Sequence, residues 1–123
     1  MYRTLFQLYL NHCDEAIALY QKAFGATLNC CHRDPQNKIL HAELDVFGQI
    51  VSFSENGEKA VPGNTMQLCL HFGKPEHEET VKKAYAVLKE EALHIFCPPL
   101  PCEWSSCMAG LIDKFGVSWC LFV

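Results

Sequence analysis

Apolar positions change their period several times along the chain, and each change marks an element. Residues 4–10 form a short apolar segment closed by Asn11, which predicts a strand. From Asp14 onward, Ala16, Ile17, Tyr20, Ala23 and Phe24 recur at three- and four-residue spacing, with Glu15, Gln21 and Lys22 between them. That period predicts an amphipathic helix, and Gly25 stands where a C-terminal cap belongs. Residues 27–32 read as a second strand, and Asp34, Pro35, Gln36 and Asn37 as a turn. Residues 38–47 alternate, with Leu40, Ala42, Leu44 and Val46 on one face and Ile39, His41, Glu43 and Asp45 on the other. After a turn at Gly48, residues 50–55 return as a fourth strand.

The pattern then starts again. Residues 56–64 are the only long polar stretch with turn residues and serve as the join. Residues 66–72 predict a strand with Leu68, Leu70 and Phe72 facing one way and Gln67, Cys69 and His71 the other. Residues 76–92 carry Val81, Ala84, Tyr85 and Leu88 at helical spacing, residues 94–97 predict a strand ending at Pro98 and Pro99, and residues 107–112 and 117–122 complete the series. Two turns share one signature, Asp45-Val46-Phe47-Gly48 and Asp113-Lys114-Phe115-Gly116, set 68 positions apart. Each glycine can take the positive φ of a tight turn, and each aspartate can bond nearby backbone N–H groups. The expected fold is α+β: one domain over residues 1–123, built of two βαβββ modules (about 1–58 and 64–123) that form a paired, cup-shaped mixed sheet. Helices would cover one face of each sheet, leaving the other face to line a cavity.

Composition narrows the functional classes. Of 123 residues, half are apolar and a fifth charged, which excludes disorder. Ten Lys plus Arg against fourteen Asp plus Glu give a formal charge of −4, and the scattered basic residues argue against nucleic acid as a partner. No apolar run reaches the roughly 20 residues of a membrane span, and the first residues lack a signal-peptide layout, so a cytoplasmic protein is expected. Eight cysteines at 13, 30, 31, 69, 97, 102, 107 and 120 show neither a Cys-x-x-Cys nor zinc-module spacing. They read as reduced, mostly buried thiols.

In combination, Cys13-Asp14-Glu15-Ala16-Ile17-Ala18-Leu19-Tyr20 followed by Phe24-Gly25, then His41-Ala42-Glu43-Leu44, and finally Trp104 with Asp113-Lys114-Phe115-Gly116-Val117-Ser118-Trp119 resemble the vicinal oxygen chelate superfamily. This is also called the glyoxalase/bleomycin-resistance/dioxygenase superfamily, and the likeness is to its PhnB-like branch. The resemblance implies the same paired fold and a homodimer. It also implies a divalent metal held by four side chains from the first and last strands of each module, at Leu5, Ser52, Gln67 and Cys120. Leu5 cannot bind a metal, and Ser52 and Gln67 are weak neutral donors. The expectation is therefore no metal and no cofactor. A shifted ion gathered by His41, Glu43 and His71 is the alternative.

The candidate ligand-binding residues are His41, Glu43, Gln67, His71, Trp104 and Cys120, with His41 and Glu43 as a possible acid/base pair on one strand face. Each has a plainer reading: a solvated face for the pair, a structural histidine at 71, a core or interface plug at Trp104, and an inert buried thiol at Cys120. Phe115 and Trp119 belong to the core pattern. No phosphate loop, dinucleotide fingerprint or nucleophile elbow is present, and the methyltransferase label sometimes given to the branch has no adenosylmethionine-binding glycine turn behind it. The expected function is binding of a small organic molecule without the superfamily metal. The alternative is a lyase, isomerase or dioxygenase, metal-dependent or acid/base.

Overall fold

The helix expected after Asp14 forms one residue earlier, over Cys13–Phe24 (α1), and buries Cys13, Ala16, Ile17, Tyr20, Ala23 and Phe24 on one stripe. Gly25, at φ 63°, closes it by donating its N–H to the Gln21 carbonyl at 2.8 Å. His12, at φ 62°, precedes the helix without a side-chain cap of its own. The first free donors instead reach Glu55, whose two carboxylate oxygens accept from the N–H groups of His12 and Cys13 at 2.7 and 3.1 Å. An anion at this end also complements the helix dipole.

The computed structural model describes all of residues 1–123, which divide into two units, Met1–Ala60 and Val61–Val123. In the first unit, β1 (Phe6–Leu10), β2 (Thr27–Arg33), β3 (Ile39–Val46) and β4 (Gln49–Glu55) form a sheet in the order β1-β4-β3-β2. In the second, β5 (Leu68–His71), β6 (His94–Cys102), β7 (Ser105–Ile112) and β8 (Ser118–Phe122) form a sheet in the order β5-β8-β7-β6, with α2 (Glu78–Leu88) preceded by a 3₁₀ turn over Pro75–His77. The outer pairs β1/β4 and β5/β8 are parallel and the rest antiparallel. Each unit is thus a βαβββ module with the same strand order, and the chain has the two-module α+β fold. The helix α1 lies against β3 and β4, and α2 against β6, β7 and β8. Tyr20 and Phe53 fill the first core, their rings 5.9 Å apart. Trp119, Leu111 and Leu88 fill the second. Phe115, assigned to the core from sequence, is only half-buried.

Four local differences from the sequence reading have identifiable causes. Leu40 is exposed and Ile39 buried, the reverse of simple alternation. His32 pairs with His41 but Arg33 with Ile39, so Leu40 is the extra residue of a bulge that flips the start of β3. The second helix stops at Leu88 rather than 92; its last turn holds no cation to meet the dipole, and Glu91 takes a left-handed φ of 56°. The strand expected to end at residue 97 continues to Cys102 through Pro98, Pro99 and Pro101. It can do so because β6 is an edge strand, with register shifts on both sides of Leu100. Finally, the two matching turns are not built alike. Val46 pairs with Gln49 across a two-residue loop, Phe47 at φ 53° and Gly48 at φ 90°, whereas Asp113 meets Val117 across a loop one residue longer.

Candidate functional site

Residues directly opposite one another in a sheet share a face, so strand register determines which side chains stand together. On the face of the first sheet away from α1, one row runs Cys30 on β2, Glu43 on β3, Ser52 on β4 and Gln7 on β1. Cys30 reaches this row because Asn29 is bulged out between the Leu28–Leu44 and Cys30–Glu43 pairs. His41 stands two positions from Glu43 on the same strand.

Glu43 is the centre of this row. Its side chain is 11% exposed, and Arg3 grips it from the segment before β1 with two hydrogen bonds, Nη1 to Oε2 at 2.9 Å and Nη2 to Oε1 at 2.6 Å. His41 Nε2 lies 3.0 Å from Oε1. The Arg3 bonds first, and the His41 bond second, hold the Glu43 carboxyl down at about 2. An ionised carboxylate only accepts, so Nε2 carries the proton in this contact. At neutral pH such a group takes up protons poorly; it is suited to orienting His41 and holding positive charge. Beside it, Ser52, fully buried, donates to Gln7 Oε1 at 2.8 Å, Gln7 Nε2 donates to Ser54 at 3.0 Å, and Ser54 donates to the Leu40 carbonyl at 2.8 Å.

The equivalent row of the second sheet is Cys69 on β5, Cys120 on β8, Gly110 on β7 and Cys97 on β6. Burial pushes the Cys120 thiol up to about 11, with Cys69 adding to the shift. Gln67 lies just before β5 and donates to Ser118 Oγ at 3.2 Å and to the Trp119 carbonyl at 3.4 Å. At the end of the same sheet, His71 stacks on Phe122 with ring centroids 4.4 Å apart, and Trp104 meets Phe122 edge-on at 5.3 Å. Trp104 is 61% exposed and sits with Glu103 in the two-residue turn joining β6 to β7. A groove of about 530 Å³ opens here, lined by His71, Pro75, Pro101, Cys102, Trp104 and Ser106 among others.

The sequence candidates are thus grouped as follows. His41 and Glu43 touch, Gln67 and Cys120 stand near Cys69, and His71 and Trp104 share the groove. Arg3 and Cys30 were not anticipated. Arg3 lies outside any periodic element, and the bulge that aims Cys30 at Glu43 leaves no mark in composition.

The four positions implied for a superfamily metal do not fit one. Leu5 is apolar and lies before β1. Ser52 and Gln67 offer only a neutral hydroxyl oxygen and a neutral amide oxygen, the first donating its proton to Gln7 and the second facing the Cys69 sulfur at 3.9 Å. Cys120 is the one strong donor of the four, and burial raises its thiol to about 11, which adds to the cost of forming the thiolate a metal needs. Of the residues that share register with Ser52 and Cys120 on the neighbouring strands, Gln7 is another neutral amide and Cys69 adds one thiol.

No family model and no curated protein sequence matches the chain significantly. Solved structures do. Protein PA1353 from Pseudomonas aeruginosa superposes with a TM-score of 0.81 at 22% identity, covering 99% of this chain and 97% of that one. A PhnB protein from Bacillus cereus, described as a putative 3-demethylubiquinone-9 3-methyltransferase, gives 0.73 at 20% identity over 99% and 98%. The fosfomycin resistance protein FosX from Listeria monocytogenes gives 0.73 at 13% identity over 98% and 91%. With two βαβββ modules matched along nearly their whole length, the chain has the fold of the vicinal oxygen chelate superfamily, shared by PhnB-like and FosX proteins.

Proposed function

We propose that this chain is a PhnB-like member of the vicinal oxygen chelate superfamily that binds a small organic molecule without the superfamily metal, as a cytoplasmic homodimer. The observation that carries this reading is the donor set. The fold is intact, yet the implied metal positions hold one apolar side chain, two hydrogen-bonded neutral groups and a protonated thiol. A FosX variant has been solved with Mn(II) and 1S,2S-dihydroxypropylphosphonic acid, which illustrates the metal-dependent alternative on this fold. The second unit supplies the support for a ligand: its open groove of about 530 Å³ is lined by His71 and Trp104, whose rings both pack on Phe122 and are held in place by it. Planar, weakly polar organic molecules fit that wall best. Acid/base catalysis by His41 and Glu43 has less support, because a carboxyl held near 2 is a weak proton acceptor.

Trp104 also provides the assay. The second tryptophan, Trp119, is fully buried, so quenching by a bound ligand reports mainly on Trp104. A panel of planar heteroaromatic compounds should include members that quench this emission and raise Tm, and Trp104→Ala should abolish both effects while the far-ultraviolet spectrum is kept. A panel in which no compound stabilises the protein, or binding that survives Trp104→Ala unchanged, would overturn the reading.

A further inference from the structure

The polar row of the first sheet contains a set of ligand atoms that neither the small-molecule reading nor the superfamily positions use. Cys30, His41 and Glu43 each offer one such atom, and all three atoms lie within 4.8 Å of one another. Thiolate, imidazole and carboxylate together form a borderline-soft donor set suited to zinc.

From this geometry we propose that Cys30, His41 and Glu43 form a binding site for a zinc-like divalent cation, with its fourth position open to water or an external ligand. The His41 Nε2 to Glu43 Oε1 separation is 3.0 Å. Two ligands with bonds of about 2.0–2.1 Å at a tetrahedral angle stand about 3.3 Å apart, so a cation replaces the shared proton with little movement of either side chain. Cys30 is already opposite Glu43 through the Asn29 bulge, and its sulfur closes the third edge. Arg3 is the obvious objection, since it places a positive charge on Glu43. Its Nη1 bond is to Oε2, the oxygen not shared with His41, so the guanidinium can stay there as an outer partner that orients the carboxylate while Nη2 releases Oε1. Cys30 and His41 are half-buried, which leaves a path for the ion. On binding, the Cys30 thiol gives its proton to solvent and the neutral His41 ring carries its proton on Nδ1 instead of Nε2, which frees Nε2 for the ion. The site does not depend on the groove of the second unit.

Cobalt(II) titration of the full chain under reducing conditions is the test, because a thiolate–cobalt bond gives a charge-transfer band that carboxylate and imidazole do not. One equivalent should bind with that band, zinc should displace it, and the band should vanish in Cys30→Ser. Affinity should fall at least tenfold, on the order of 10–100-fold, in His41→Gln and Glu43→Gln, and stay unchanged in Cys31→Ser, whose side chain faces the core residue Ala42 row. If Cys30→Ser does not fold, zinc protection of Cys30 against alkylation in the unaltered protein, read by peptide mass spectrometry, gives the same answer. Absence of the band, its survival in Cys30→Ser, or alkylation of Cys30 at an unchanged rate with zinc present overturns the site.

Discussion

The hairpin between β7 and β8 is keyed by one buried carboxylate, and removing its charge should be costly. Asp113 is fully buried; Oδ1 accepts from the N–H groups of Phe115 at 2.9 Å and Val117 at 3.1 Å, and Oδ2 accepts from Trp119 Nε1 at 2.9 Å. In Asp113→Asn one end of the side chain becomes a donor, so either the indole N–H or the loop N–H groups meet another N–H. A hydrogen bond to a charged group is worth about 1.5–3 kcal/mol, and a buried donor left unpaired costs about 1–3 kcal/mol. These effects overlap, giving an expected loss of about 2–4 kcal/mol out of a total stability on the order of 5–15 kcal/mol. At about 4 °C per kcal/mol for a chain of this size, Tm should drop by about 8–16 °C. Urea unfolding followed by far-ultraviolet circular dichroism measures the change, and a cycle with Trp119→Phe isolates the contact. The phenyl ring offers no N–H, so Asp113→Asn should cost less in the Trp119→Phe background, by about 1 kcal/mol or more. A single-substitution cost below about 0.5 kcal/mol, with coupling inside the usual additivity error of about 0.3–0.5 kcal/mol, would refute the keying role.

The Glu43 carboxyl, lowered from its ordinary 4.5 to about 2 by Arg3 and then His41, contributes stability that is fully present above pH 4.5 and is lost as pH falls toward 2. An acid titration of stability should therefore slope downward across that window and flatten in Glu43→Gln; an unchanged slope in the variant would disprove the linkage. Thiol reactivity should be strongly graded. Burial raises Cys13 to about 12 and Cys120 to about 11, which cuts their thiolate populations by roughly a thousandfold and a hundredfold relative to a group at 9, while Cys69 is exposed. Timed iodoacetamide labelling with peptide mass spectrometry should show Cys69 modified well before either, and simultaneous modification of Cys69 and Cys120 would contradict the assignment.

The architecture was legible because it rests on period. Ala16, Ile17, Tyr20 and Phe24 form a stripe only on a helix, and Leu68, Leu70 and Phe72 separate from Cys69 and His71 only on a strand, so both modules could be read residue by residue. What escaped depends on breaks in period. The bulges at Asn29 and Leu40 reassign faces without any distinctive residue, and it is the first that brings Cys30 to Glu43. The two Asp-x-Phe-Gly turns look equivalent, yet Asp45 receives only the Gly48 N–H at 2.6 Å whereas Asp113 also serves a tryptophan six residues on. Arg3 acts across 40 residues of sequence on Glu43, a distance over which local pattern carries no information. Of the candidate site, the His41–Glu43 pair could be seen from their two-residue spacing; the partners that set the carboxylate's charge could not.

Pro98, Pro99 and Pro101 occupy the outer margin of the second sheet, where a foreign strand would seek a row of amide hydrogens. None of the three prolines carries an amide hydrogen, so that row is broken, and the register slips on both sides of Leu100 make β6 irregular. Templated growth along β6 is thereby frustrated even though Ile95, Phe96 and Leu100 leave it oily to the touch. Such a margin makes a poor template for a sheet continued across this border from another chain.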